Sequence, residues 1–169
     1  LIAIFKTAWI TMKLFYRKKL KMLWGKVGFI VHLSQMVEYN LANILSADEL
    51  LGEFDTDNSM RIVDYNELAQ KSNEMYHKLS GIPLGSVLKQ AKKVNFFNED
   101  GLELLEKACK KRNYVVHNLF RDDLKPRHLE TDPEFYFEEL ENTIEILHEI
   151  NEVLTKIFER QKQEFELIY

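Results

Sequence analysis

The chain has 169 residues, of which 46% are apolar and 30% charged, with a net charge of −4. That length suits one domain with a sizeable core, and that charge excludes a general nucleic-acid binder held by bulk positive charge. Six glycines and three prolines are too few for the turns of a sheet-rich fold, so helices are favoured. Cys109, the single cysteine, leaves no internal disulfide framework and no cysteine-based zinc site, which suits a reducing cytoplasm.

The charge is unevenly placed. Residues 1–26 carry Lys6, Lys13, Arg17, Lys18, Lys19, Lys21 and Lys26 and no acid, so the rest of the chain holds 16 bases against all 27 acids. The apolar run at 1–16 has its basic cluster behind it, the reverse of a secretory signal. It is also too short and too interrupted by Lys6 and Lys13 to span a bilayer. Residues 1–21 are predicted to form a basic amphipathic extension that packs on the body or a partner, with a membrane-surface helix as the alternative. Residues 22–169 are predicted to form one helical domain.

Apolar residues at a 3–4 spacing predict a helix over about 23–47, with Val27, Ile30/Val31, Ser34, Leu41 and Ile44/Leu45 facing inward. Polar, turn-rich residues at 52–58 predict a break. A second helix is predicted over 59–79, ended by Gly81-Ile82-Pro83, and a short one over 84–93. Asn98 is a candidate N-cap, with Glu99 and Asp100 behind it, for a helix reaching about 120. A charged connector, 121–133, leads to a long final helix over 133–165. Phe137, Leu140, Ile144, Leu147, Leu154 and Phe158 form its inner stripe. The predicted architecture is an all-α antiparallel bundle of four main helices with one or two short ones.

Within the helix after Asn98, Leu102, Leu105, Ala108/Cys109, Val115/Val116 and Leu119 keep the apolar spacing, and Arg112 occupies a position where that spacing asks for an apolar side chain. A charge there needs a partner or the edge of a cavity. Glu38 breaks the stripe of the first helix in the same manner, so the two are predicted to meet. Arg112 is followed by Asn113 and, five positions on, by His117. An arginine fork can hold a phosphate, and a histidine can move a proton near neutral pH. Asn113, Tyr114 and His117 share a face with Lys110 and Arg121. Arg112 and His117 are about 140° apart on an ideal α-helix, so one helix alone does not converge them, and the spacing hints at a second copy.

This set, Arg112-Asn113-(Tyr114-Val115-Val116)-His117 on a late helix, resembles the signature of the HEPN superfamily. The resemblance covers about residues 22–165, including a first helix with Glu38, a Leu84-Gly85 turn and a long closing helix. It implies a compact helical bundle, a homodimer with two motifs facing each other, and RNA cleavage without a metal or other cofactor, often in toxins or phage-defence effectors. By that resemblance Arg112, Asn113 and His117 are the catalytic residues. Glu38 and Tyr114 are supporting residues, and Lys110, Lys111 and Arg121 are candidates for guiding RNA. An antitoxin or regulatory protein is a further possible partner. One branch of the family carries a tyrosine two residues after the histidine, which a partner enzyme modifies; here that position is Leu119. Some members have lost catalysis and act as binding modules, which is the alternative reading.

A third reading comes from Glu74/His77 and Glu145/His148. Two Glu-x-x-His pairs, completed by Glu38 and Glu103 or Glu106, match the ligand set of a di-iron carboxylate bundle. Both pairs fall off the apolar stripes of their helices, where an exposed acidic face is the simpler account.

Overall fold

A computed structural model describes residues 2–56, 65–94, 96–119 and 133–168. They form five α-helices: α1 (Ile2–Thr56), α2 (Tyr65–Ser80), α3 (Leu84–Ala91), α4 (Glu99–Asn113) and α5 (Pro133–Ile168). A π-helical turn (Tyr114–Asn118) continues α4. The fold is all-α, with no strand among the described residues. The connector at 120–132, with Arg121 and His128, lies outside the described residues.

One expected boundary moves. α1 is one continuous helix of 55 residues, so residues 2–21 run without interruption into those that follow. It also runs through Gly52 to Thr56, where a turn was predicted. A single glycine costs a helix interior only about 1 kcal/mol, which continuation of the flanking turns can offset.

The core is a ridge between α1 and α5, the most extensive pairing in the fold. Ile30, Val37, Leu41 and Ile44 of α1 meet Leu140, Leu147, Ile150 and Leu154 of α5, all fully buried. Polar contacts fix the direction of the pair. Lys19 meets Glu134 at 3.5 Å and Lys26 meets Glu141 at 2.9 Å. Asn40 meets Asn151, and Gln161 donates to the Ile44 carbonyl at 3.0 Å. Residue numbers rise together on both helices, so α1 and α5 run parallel. The antiparallel order expected for the main helices therefore fails for the two longest.

The intervening helices account for this. α2 folds back along α1, where Tyr76 packs edge-on against Tyr39. α4 runs against α5, with Phe96 near Arg160 and Lys111 near Glu139. The closing helix then returns in the direction of α1. Asn98 caps α4 as its sequence suggests, accepting from the Gly101 amide at 2.9 Å. A side chain at Gly101 would place its Cβ 2.9 Å from that same cap oxygen, so any larger residue there would require the Asn98 side chain to shift.

Candidate functional site

Arg112 lies near the end of α4, and the apolar phase of that helix carries it toward α1. There its Nη2 is 3.5 Å from Glu38 Oε1. The two breaks in the apolar stripes thus face each other, as a buried charge requires. The side chains are only 25% and 37% exposed. Arg112 Nη1 donates to Asn113 Oδ1 at 2.9 Å. Its Nε is buried and has no hydrogen-bond partner. Asn113 therefore orients the arginine in this structure.

Cys109, one turn earlier, is buried in the same region. Burial pushes its thiol up to about 11, against the opposing pull of Arg112 and with a smaller push from Glu38. A thiol held neutral is an inert core group at physiological pH.

Immediately after Asn113 the backbone widens. Tyr114–Asn118 is π-helical, and the Leu119 amide donates to the Tyr114 carbonyl at 2.8 Å, five residues back. A wider turn rotates each residue less. With roughly 80° per residue across this segment in place of 100°, Arg112 and His117 are separated by about 60° rather than about 140°. The wider turn therefore narrows the angle between the two positions relative to an ideal α-helix. π-turns are rare overall and are frequent at functional sites. Val115 is buried beneath the turn while His117 is exposed. Leu119, at the position where a family branch has its modified tyrosine, is fully buried.

The basic residues beside the motif divide. Lys111 is tied to Glu139 of α5 at 2.6 Å, with both side chains largely covered. Lys110 is exposed and 3.9 Å from Glu106. Glu106 is bonded more closely to Lys92, which holds its carboxyl below the usual range. An open groove of about 550 Å³ runs along this side of α4, lined by Tyr114, Lys110 and Lys111 but also by Glu103, Glu106 and Glu139. Its charge is mixed rather than cationic. Glu139 had no distinguishing signal in the sequence, because it sits in a run of glutamates whose partners depend on how α5 is turned.

The alternative carboxylate–histidine set is not assembled. Among the described residues no three histidine, cysteine or acidic side chains converge to hold a metal ion. His148 lies against Phe29, with ring centres 5.6 Å apart, and His77 lies against Tyr76. Glu74 accepts from Gln70 at 2.9 Å. No described helix is long and apolar enough to cross a membrane.

Comparison of the chain with protein-family models, with curated proteins and with solved structures finds no match.

Proposed function

We propose that this chain is an endoribonuclease of HEPN type. The observation that carries the reading is a half-buried Arg112 guanidinium followed directly by a π-helical turn that bears the solvent-exposed His117. His117 removes the proton from a ribose 2′-hydroxyl, or donates one to the departing 5′-oxygen. The 2′-oxygen attacks phosphorus, the bond from phosphorus to the 5′-oxygen breaks, and the products are a 2′,3′-cyclic phosphate and a 5′-hydroxyl. Arg112 stabilises the charge that gathers on the phosphorane oxygens. Its contact with Glu38 is long for a hydrogen bond, so an RNA phosphate can take its place. Two copies of the chain would let one His117 act as base and the other as acid. Lys110 and Arg121 would serve as outer contacts for the RNA backbone. A toxin or defence role belongs to this reading, as does an antitoxin partner.

The test is end-group analysis of RNA treated with the chain in excess chelator. Cyclic phosphate ends are expected, and a substrate lacking the 2′-hydroxyl at the cleaved position should resist.

One observation favours a second reading. Both terminal nitrogens of Arg112 are engaged within the chain, and Lys111 is neutralised by Glu139. That pattern suits a catalytically silent module that docks a partner protein. RNA left intact alongside specific retention of a partner would favour it.

A further inference from the structure

α1 outreaches the helix it packs on. Phe5, Met12, Lys19, Leu23, Ile30 and Val37 follow one another at spacings of seven and four, so they share one line of α1. Leu23, Ile30 and Val37 are buried in the core. Lys19 pairs with Glu134, the second residue of α5. Because the two helices run parallel, α5 starts level with Lys19. Residues 2–18 of α1, about 25 Å of helix, come before that level. The line that carries the core therefore runs on through Met12 and Phe5, past the start of the helix that covers it.

Charge selects what meets this extension. No acidic residue precedes Glu38, whereas Lys6, Lys13, Arg17 and Lys21 form a second line at spacings of seven and four. Lys19 and Lys26 are engaged by Glu134 and Glu141 of α5. Arg17, Lys18 and Lys21 are exposed. Leu14, Met22 and Trp24, each more than half exposed, lie among these bases. Phe5, Trp9, Phe15 and Tyr16 add aromatic rings to the same segment. An apolar line, a basic line and interleaved aromatic residues suit the boundary between acyl chains and anionic headgroups.

We propose that residues 2–18 of α1 hold the chain to an anionic lipid surface. The Phe5–Met12 line sits at the acyl chains, and Lys6, Lys13, Arg17, Lys18 and Lys21 sit at the lipid phosphates. α5 lies on the same line further along α1, so the helix meets the surface at a slant rather than flat. Lys6 and Lys13 interrupt the apolar residues, so the segment rests in one leaflet, with their stems along the acyl boundary and their charges at the headgroups. The inference does not depend on the ribonuclease reading.

Co-sedimentation of this chain with lipid vesicles tests it. Vesicles of phosphatidylcholine containing about a third phosphatidylserine should carry the chain down, and pure phosphatidylcholine vesicles should leave it in solution. Arg17→Gln with Lys18→Gln and Lys21→Gln should weaken binding about 10²-fold, the combined worth of three bases at such a surface. Phe5→Ser with Met12→Ser should also weaken it, with the melting temperature unchanged. A chain that stays in solution with the anionic vesicles would overturn the proposal. If that chain also sediments at twice its 20.1 kDa, the apolar line belongs to a second copy instead. Equal binding to neutral vesicles would overturn the role of the bases. Binding that survives Phe5→Ser with Met12→Ser undiminished would overturn the role of the apolar line.

Discussion

The seam between α1 and α5 and the crossing between α1 and α4 both bury polar side chains, but they treat them differently. In the seam, Asn151 donates to the backbone carbonyls of Leu33 and Leu147 and accepts from Asn40. Gln161 reaches across to the Ile44 carbonyl and leaves one oxygen unpaired. These groups are neutral, and their contacts set which turn of α1 faces which turn of α5. At the crossing, a permanent charge faces its counter-charge at 3.5 Å, has one nitrogen without a partner, and is followed by a π-turn. Polarity in the seam is neutral and is closed mostly on backbone, apart from the Asn40–Asn151 contact and the one Gln161 oxygen. Polarity at the crossing is charged, loosely closed and partly open to solvent.

Substitutions can break this comparison. The largest separation is expected from His117→Ala. RNA cleavage should fall by about 10²–10⁴-fold, the usual worth of a positioned acid or base, while the melting temperature stays put because the side chain is exposed. Deleting Val116 should return the π-turn to α-helical spacing and abolish cleavage while circular dichroism retains its helical signal. A shortened chain that cleaves normally would show that the turn positions nothing. Asn151→Ala should do the reverse of His117→Ala. It should lower stability to urea by about 1–3 kcal/mol, because Asn40 and the seam lose their shared partner, and leave cleavage intact.

Smaller effects sharpen the contrast. Arg112→Ala should lower both stability and activity, and a double-mutant cycle with Glu38→Gln should give a coupling of at most about 1 kcal/mol, since the pair is partly solvated. A coupling several times larger would make the pair a structural ion pair like any buried one. The Cys109 thiol gives a pH-dependent check on the same region. Its folded value lies above its unfolded one, so the folded state holds the proton more tightly. The resulting stability is fully present below about pH 9 and is lost as pH rises toward 11. Denaturation midpoints measured across that range should decline, and less so for Cys109→Ala.

Much of this was legible in the residues. Leu140, Leu147 and Leu154 of the α5 stripe, the Asn98 cap and the Glu38–Arg112 meeting follow from spacing and from the cost of an unpaired buried charge. Phe137, Ile144 and Phe158, by contrast, are only partly buried, and Ile146, Ile150 and Ile157 lie deeper than that stripe suggests. The parallel course of α1 and α5 was not legible, because it depends on how many times the chain reverses between them, and apolar spacing carries no direction. The π-turn left only an indirect trace, the awkward i, i+5 separation of Arg112 and His117, which an ideal helix cannot reconcile. The Lys111–Glu139 pairing was hidden because it depends on the rotation of α5, and one glutamate in an acidic run looks like its neighbours.

The central claim is that Arg112 and His117 form a cleavage centre rather than a decorated helix end. The most direct test compares wild-type chain and His117→Ala on mixed-sequence RNA in excess chelator, with thermal melts of both. The account predicts cleavage by the wild type alone and identical melting curves. Cleavage that survives the substitution would contradict it, as would a wild-type chain that leaves every RNA intact.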